Sequence, residues 1–210
     1  MILEGKKAAF LGDSITEGHG LKGTEGAYWN LLKEREHLAE IYVDGIGGTR
    51  FTKQWTPSEN PRHDMDFVPR VDRIPGDADV IVVFGGTNDF GHGDAPLGNR
   101  GDKSPYTFYG ACDLLIRRLL MHCPKAEIVF MTPLHRLVEE QNGRKLIDYI
   151  EAIRQVTEYY GIPLVDLYAT SGIQPKLAIM QELYCPDGLH PNEAGHEKIY
   201  KRLKGVLETL

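Results

Sequence analysis

A serine near the start of the chain and an Asp–His pair near its end are of the types that perform acyl transfer. Ser14 follows the first apolar run in the turn Gly-Asp-Ser, and Asp187 stands three residues before His190. This spacing lets the carboxylate turn back onto the Nδ1 atom of the imidazole, so that Nε2 stays free to accept a proton. Because a serine hydroxyl needs an adjacent base at neutral pH, the three residues predict a nucleophile and its base machinery.

Each of these signals is weak when taken alone. Gly-Asp-Ser is a common turn, and Thr16 occupies the place of the second glycine in the Gly-x-Ser-x-Gly elbow of α/β-hydrolases. Asp187 and His190 suit a surface turn before a helix equally well. Asp166, at the end of another strand-like run, is a competing acid whose simpler role is to cap or brace the loop that follows.

Two glycine-rich loops can supply hydrogen-bond donors to an oxyanion. Asn88 lies in Gly-Gly-Thr-Asn-Asp after the apolar run 80–84, and its amide can donate. Gly48 lies in Gly-Ile-Gly-Gly-Thr after the run 41–43, where a backbone N–H can do the same. The second loop could cradle phosphate, but the Gly-x-x-x-x-Gly-Lys pattern is missing. Separate strand ends and loops thus carry a nucleophile, two donors and an acid–base pair, the parts that acyl transfer requires.

Short apolar runs alternate with segments of helical periodicity. The runs are unalternating, as in strands buried on both faces of a parallel sheet, and comprise residues 7–11, 41–43, 80–84, 128–131 and 163–165. Helices are predicted over 28–38, from Ser104-Pro105 to Leu119, from Leu146 to Gly161, and after Pro191 with Ile199, Leu203, Val206 and Leu210 buried. We therefore predict a three-layer α/β/α sandwich whose strand ends carry the site.

Size and composition narrow the choice of protein class. The 210 residues, 41% of them hydrophobic, suit one domain spanning 1–210 with a sizeable core. The longest irregular stretch, residues 51–75, contains four prolines and is predicted to be a surface excursion over the site. The net charge is −6 and basic residues do not cluster, so no nucleic-acid partner is expected.

No membrane span or cofactor is expected either. No apolar run approaches the roughly 20 residues that span a bilayer, and residues 1–7 leave no room for a secretory signal. Three cysteines without close pairing favour reduced thiols and a cytoplasmic location. The histidines lack metal-ligand spacing, and His63-Asp64-Met65-Asp66 is better explained as a solvated loop, so we predict no metal.

Four blocks, taken together and in this order, resemble those of the SGNH hydrolases, also called GDSL-type esterases and lipases. They are residues 12–18 (Gly-Asp-Ser-Ile-Thr-Glu-Gly), 45–49 (Gly-Ile-Gly-Gly-Thr), 86–89 (Gly-Thr-Asn-Asp) and 187–192 (Asp-Gly-Leu-His-Pro-Asn). The blocks extend over nearly the whole chain. Two positions depart from the family pattern, since Ile15 replaces the Leu of the name motif and Asp44 stands where many members have Asn.

The resemblance implies a flavodoxin-like sheet of five parallel strands. It implies Ser14 as nucleophile and His190 as base, oriented by Asp187. The implied oxyanion hole comprises the backbone N–H groups of Ser14 and Gly48 and the side chain of Asn88. The expected activity is hydrolysis of carboxylic ester bonds.

The expected substrate is a small-molecule ester or an acetylated carbohydrate. No long apolar lid is evident, which favours a short acyl group such as acetyl. Arg50, His135, Arg136 and Tyr184 suit a polar alcohol such as a sugar, although they suit solvated loops as well. The oligomeric state stays open, a homo-oligomer included.

Three other functions compete with this expectation. A lysophospholipase or thioesterase could use the same residues. A catalytically silent carbohydrate-binding or scaffolding module is opposed by the joint presence of Ser14, Asp187 and His190. A flavin-binding flavodoxin-type protein is disfavoured, because the loop after the first strand has an acid where phosphate needs donors.

Overall fold

A five-stranded parallel sheet lies at the centre of the computed structural model, which describes residues 1–210. Its spatial order is β2-β1-β3-β4-β7, with strands β1 (Lys7–Gly12), β2 (Glu40–Gly45), β3 (Val80–Phe84), β4 (Glu127–Met131) and β7 (Leu164–Val165). A separate antiparallel hairpin consists of β5 (Glu140–Gln141) and β6 (Arg144–Lys145). The predicted parallel sheet is confirmed, and its order reverses direction between β1 and β3, where open α/β sheets bind ligands.

Helices cover both faces of the sheet. They are α1 (Ser14–Glu17), α2 (Tyr28–Arg35), α3 (Phe67–Arg70), α4 (Thr87–His92), α5 (Phe108–His122), α6 (Leu146–Tyr160), α7 (Leu167–Thr170), α8 (Ala178–Tyr184) and α9 (Glu193–Leu207). α5 packs with α6 on one side, and α2 packs with α9 on the other. None of the helices combines the length and the apolar character that crossing a bilayer requires.

Alternate residues of the strands enter two separate hydrophobic cores. Leu11, Val83 and Phe130 pack into the core beneath α5 and α6. Their strand neighbours Phe10 and Val82 pack into the core beneath α2 and α9. Because both faces of the sheet are buried, the strand sequences show no polar alternation. The three-layer α/β/α architecture follows directly from this double burial.

Residues 53–65 lie at the surface as predicted, since none of them is buried, but the prediction of a surface excursion is wrong for the two ends of the 51–75 segment. The stretch contains a 3-10 turn (Pro61–Asp64) and α3, and Phe51, Phe67 and Val71 are fully buried. Phe51 stacks on Phe108 of α5 with ring centroids 5.6 Å apart. The apolar residues at both ends of the segment thus belong to the core, while the part between them is at the surface.

Two helix ends also differ from the predictions. α5 is capped by Thr107, whose Oγ1 accepts from the Gly110 N–H at 3.3 Å, so Ser104 lies in the preceding turn. In α9, Leu207 is buried while Leu210 is 42% exposed, because the helix ends before that residue.

Candidate active site

Ser14 is the first residue of α1 and stands at the carboxyl end of β1. The carboxylate of Asp13 caps this helix by accepting from the Ile15 N–H at 3.1 Å. Complete burial raises the pKa of Asp13 to about 7. The indole N–H of Trp29 in α2 donates to the Thr16 carbonyl at 2.9 Å. These contacts hold the Ser14 turn against the sheet, with 5% of the serine exposed.

The acid–base loop, residues 187–190, brings an imidazole to this serine. His190 Nε2 lies 3.0 Å from Ser14 Oγ, and His190 Nδ1 lies 2.6 Å from Asp187 Oδ2. Asp187 Oδ1 accepts from the backbone N–H groups of His190 at 2.6 Å and Leu189 at 2.8 Å. The three side chains therefore form a continuous hydroxyl–imidazole–carboxylate row across 176 residues of sequence separation.

The contacts of Asp187 favour its ionised form. Partial burial opposes ionisation, but the His190 N–H, the His190 imidazole and the Leu189 N–H outweigh it and hold the pKa of Asp187 below its usual value. An ionised carboxylate at Nδ1 keeps the proton of a neutral imidazole on that nitrogen. Nε2 then faces the serine as an acceptor.

The acid–base loop rests on the segment that follows α1. Gly20 has φ +93°, and a Cβ there would collide with the Pro191 carbonyl and lie 3.3 Å from the His190 Cβ. Only glycine permits both this backbone conformation and this approach. At the other end of the loop, Asn192 caps α9 by accepting from the Gly195 N–H at 3.1 Å.

The glycine loop, residues 45–49, follows β2 on the opposite side of Ser14. Gly48 has φ +76°, and its N–H donates to no group of the protein, as is also true of the Ser14 N–H. One amide hydrogen of Asn88 goes to the Thr49 carbonyl at 3.0 Å. The second amide hydrogen has no protein acceptor. Three donors without a protein acceptor thus follow the carboxyl ends of the neighbouring strands β1, β2 and β3.

A buried ion pair joins the glycine loop to the serine turn. The guanidinium of Arg70 contacts both carboxylate oxygens of Asp44, at 3.0 and 3.2 Å. It also donates to Thr49 Oγ1 at 3.1 Å and to the Gly12 carbonyl at 2.9 Å. Burial lowers the pKa of Arg70, and the Asp44 carboxylate opposes that shift. The departure at Asp44 from the family pattern is therefore matched by the Arg70 cation, to which no residue pattern near Asp44 points.

Polar side chains also brace the glycine loop from outside. Glu17 Oε2 accepts from the Gly47 N–H at 2.7 Å, while Glu17 Oε1 pairs with Arg62 at 2.5 Å. His92 Nε2 lies 3.1 Å from the Gly48 carbonyl, and the His63 ring covers the Cα side of Gly48. The solvated loop expected at residue 63 is thus packed on the site.

Asp89 fixes the start of the 51–75 segment beside Asn88. Its carboxylate accepts from the Phe51 N–H at 3.0 Å, the Thr52 N–H at 3.0 Å and the Thr52 hydroxyl at 2.9 Å. Complete burial raises the pKa of Asp89 to about 7, although these hydrogen bonds favour the ionised form.

Arg50 is 1% exposed and donates to Ser58 and to the carboxylate of Asp94. Arg50 is therefore a buried brace, which excludes its expected role as a solvated or sugar-binding residue.

Asp166, the competing acid, makes no hydrogen bond to His190. It caps α7 through the Ala169 N–H at 3.1 Å and pairs with Arg154 at 2.6 Å. His135 pairs with Glu139 at 2.7 Å, and Tyr184 lies under Lys198 at 4.5 Å. No group of three or more His, Cys, Asp and Glu side chains is arranged to hold a metal ion.

The parallel sheet with a Ser–His–Asp row at its carboxyl edge defines a class of α/β proteins built like esterases of the GDSL type. The model of the GDSL-like Lipase/Acylhydrolase family matches residues 10–198, so the chain belongs to this family. No curated protein is significantly similar to the chain in sequence.

Solved structures reproduce the whole fold. One crystal structure is 35% identical, covers 100% of this chain and 99% of its own, and superposes with a TM-score of 0.88. A protein from Lactobacillus plantarum is 32% identical over 98% of both chains, with a TM-score of 0.86. The acetyl xylan esterase AlAXEase shares the fold at 21% identity, with a TM-score of 0.67 over 95% of this chain and 98% of its own.

Proposed function

We propose that this protein is a serine esterase that cleaves short-chain carboxylic esters, acetyl esters in particular, through an acyl-enzyme on Ser14. The observation that supports it most strongly is the distance of 3.0 Å between Ser14 Oγ and His190 Nε2, with Asp187 2.6 Å behind the imidazole. At this distance the proton can pass directly from the hydroxyl to the base.

In the proposed reaction, the Ser14 hydroxyl attacks the ester carbonyl while His190 Nε2 takes its proton. The oxyanion accepts hydrogen bonds from the Ser14 N–H, the Gly48 N–H and the second amide hydrogen of Asn88. Collapse of the tetrahedral intermediate breaks the bond to the alcohol, which leaves with the proton of His190. Water then attacks the acyl-enzyme by the same route, and the carboxylic acid departs. Asp187 orients the imidazole and stabilises the imidazolium.

The surroundings of Ser14 favour a short acyl group. Two cavities of about 440 and 420 Å³ are lined by residues within 93–149 and 171–202 and by none of the proposed catalytic or oxyanion residues. A long acyl chain needs an apolar groove that removes it from water. The shared fold with an acetyl xylan esterase supports an acetylated carbohydrate as one form of the substrate.

Hydrolysis of 4-nitrophenyl acetate by the wild type and Ser14→Ala tests the proposal. We expect the variant to lose about 10⁶-fold in kcat, because no other group can form the acyl-enzyme. Ser104→Ala is the matched control, since Ser104 lies in the turn before α5 and should keep full activity. Equal rates in the wild type and Ser14→Ala would refute the proposal. A series from acetate to octanoate tests acyl length, and a maximum at octanoate would refute the short-chain part.

Exposed apolar side chains favour a lysophospholipase or thioesterase as the second candidate. α8 buries none of its residues, and Leu177, Ile179 and Leu183 are 48–60% exposed just before the acid–base loop. Such residues can hold a lipid chain at the surface. Faster turnover of lysophospholipid or acyl-CoA than of 4-nitrophenyl acetate, reduced by Ile179→Ser, would replace the acetylesterase proposal.

A reducing compartment such as the cytoplasm is the proposed location. All three cysteines are free and buried. Secreted proteins of oxidising compartments more often pair their cysteines in disulfides.

A further inference from the structure

Arg136 connects α4 with the acid–base loop. It belongs to the loop after β4, where the next residue, Leu137, donates its N–H to the Gly188 carbonyl of the acid–base loop at 2.8 Å. On the other side, Arg136 Nη1 donates to the carbonyl and to Oγ1 of Thr87, both at 3.2 Å. Thr87 directly precedes Asn88 at the start of α4. The Arg136 guanidinium thus lies on α4, the helix of Asn88, while the backbone of the next residue contacts the acid–base loop.

This guanidinium has no carboxylate partner. The other arginines that brace the site, Arg50 and Arg70, each pair with an aspartate within 3.0 Å. The carboxylate closest in sequence to Arg136, Glu139, is occupied by His135 at 2.7 Å and by Lys176 at 2.5 Å. Burial lowers the pKa of Arg136. The charges of Glu139, Asp13 and Asp187 oppose this shift, but none of these carboxylates is in direct contact with the guanidinium. A half-buried cation without a direct ionic partner favours binding of an anion from outside.

One edge of the guanidinium is open for such an anion. Only Nη1 of Arg136 donates within the protein, and neither Nε nor Nη2 is an enclosed atom without a partner. The Nε–H and Nη2–H groups point the same way and form the fork that binds the two oxygens of a carboxylate. Arg136 Cζ also lies 5.4 Å from the centroid of the Phe90 ring, and this contact and the two hydrogen bonds of Nη1 hold the guanidinium. The open edge is therefore preorganised for bidentate binding.

We infer that Arg136 is a specificity-determining residue that binds a carboxylate carried by the ester substrate. The inference rests on the proposed esterase function and adds the substrate class, an ester with a free carboxylate. That carboxylate can belong to the acyl group or to the alcohol. Binding there would neutralise the unpaired guanidinium and orient the ester between the acid–base loop and Asn88.

Two pairs of esters test the inference and separate the two sources of the carboxylate. 4-Acetoxybenzoate and its methyl ester differ only in a charge on the alcohol side. Mono-4-nitrophenyl glutarate and 4-nitrophenyl valerate differ in a charge on the acyl side. kcat and KM are measured for the wild type, Arg136→Gln, Arg136→Lys and Arg144→Gln. Arg144 is the matched control because it is half-buried, has no carboxylate partner and flanks α4 at Gly93, away from Ser14.

We expect the wild type to prefer the charged member of at least one pair. Arg136→Gln should lower kcat/KM for that ester about ten- to hundredfold, mainly through KM, which is the factor expected for a lost charge-assisted pair of hydrogen bonds. The neutral member should change less than about twofold. Arg136→Lys should retain part of the preference, because it keeps the charge but not the fork. Arg144→Gln should leave the preference unchanged.

Two results would overturn the inference while leaving the esterase proposal intact. One is the absence of any preference in the wild type for a charged member. The other is an equal loss for both members of a pair in Arg136→Gln, which would make Arg136 a structural residue. If the wild type cleaves none of the four esters and Ser14 does not react, the proposed esterase function itself is wrong, and the carboxylate site is wrong with it.

Discussion

The two halves of the candidate site are held in different ways. In the acid–base half, the carboxylate of Asp187 is 55% exposed and contacts only groups within three residues of itself. In the glycine-loop half, Arg70 and Asp44 are 1% and 8% exposed and lie 26 residues apart. A local turn therefore orients the imidazole on its carboxylate, whereas long-range buried polar contacts hold the glycine loop.

This difference predicts different consequences of substitution. A change in the exposed acid–base turn should alter chemistry with little effect on the free energy of unfolding. A change in the buried contacts around the glycine loop should lower stability, because it leaves polar groups unpaired away from water.

Asp187→Asn should give the largest effect and should act on the rate alone. The amide cannot hold the imidazole in the required tautomer, so we expect kcat to fall about 10⁴-fold. Thermal unfolding should shift little because the side chain is largely exposed. Asp166→Asn is the control, and it should keep the rate while losing about 1 kcal/mol of stability through its cap and its pair with Arg154. A larger rate loss in Asp166→Asn would reassign the acid.

Arg70→Met should give the largest loss of stability. It removes the buried cation that contacts the Asp44 carboxylate directly, and breaking such a pair typically costs about 3–5 kcal/mol in the free energy of unfolding. Arg73→Met is the matched control, since Arg73 is 48% exposed and lies 3.8 Å from the same carboxylate. It should cost less than about 1 kcal/mol. The double variant Arg70→Met/Asp44→Leu should recover part of the loss in urea unfolding, and no recovery would argue against the pair.

Asn88→Ala connects the two halves, because it removes an oxyanion donor from the glycine-loop side. We expect kcat to fall about 10²- to 10³-fold, or roughly 3–4 kcal/mol of transition-state stabilisation, with KM little changed. Stability should fall by about 1 kcal/mol through the lost bond to the Thr49 carbonyl. Asn99→Ala, at an exposed loop position, should change neither quantity. Unaltered kcat in Asn88→Ala would remove Asn88 from the proposed oxyanion hole.

The smallest expected effect is a pH dependence of the free energy of unfolding, caused by a buried histidine of α9. His196 of α9 is fully buried, accepts from the Tyr28 N–H at 3.2 Å, and has no partner at Nε2. Burial lowers its pKa from the ordinary 6.5 to about 4. Between these values the unfolded chain binds the proton more readily, so stability contributed by neutral His196 is lost as the pH falls.

His196→Gln separates this contribution from that of the buried carboxyl groups of Asp13 and Asp89. The difference in unfolding free energy between the wild type and this variant should change by about 2 kcal/mol between pH 7 and pH 5, to the disadvantage of the wild type. Urea unfolding at the two pH values measures it. A constant difference would show that His196 does not titrate in this range on unfolding.

The contrast between local and long-range contacts also determines how much of the structure could be predicted from the sequence. The β-branched runs and the end of α6 at Gly161 could be read directly, because they depend on neighbouring residues. The Asp187–His190 turn could also be read, since its contacts span three residues. The resemblance to a family then placed Ser14, Gly48 and Asn88 at strand ends that the sheet brings together.

The polar contacts around the glycine loop could not be predicted in this way. Nothing local to Asp44 indicates that its cation is Arg70, and nothing local to Gly47 points to Glu17. The sequence around Arg50 suits a sugar-binding or a solvated residue, and nothing local to it points to its partners Asp64 and Asp94. A charged residue in a predicted buried strand indicates that a partner of opposite charge is needed, but only the folded chain determines which residue is that partner.

Reaction of the protein with a fluorophosphonate probe, followed by mass spectrometry of its peptides, tests the central claim most directly. The pairing of Ser14 Oγ with His190 Nε2 at 3.0 Å predicts one adduct per chain, located on Ser14, and formed far more slowly in His190→Ala. An unmodified Ser14 in the folded wild type, or equal rates of labelling with and without the imidazole, would contradict it.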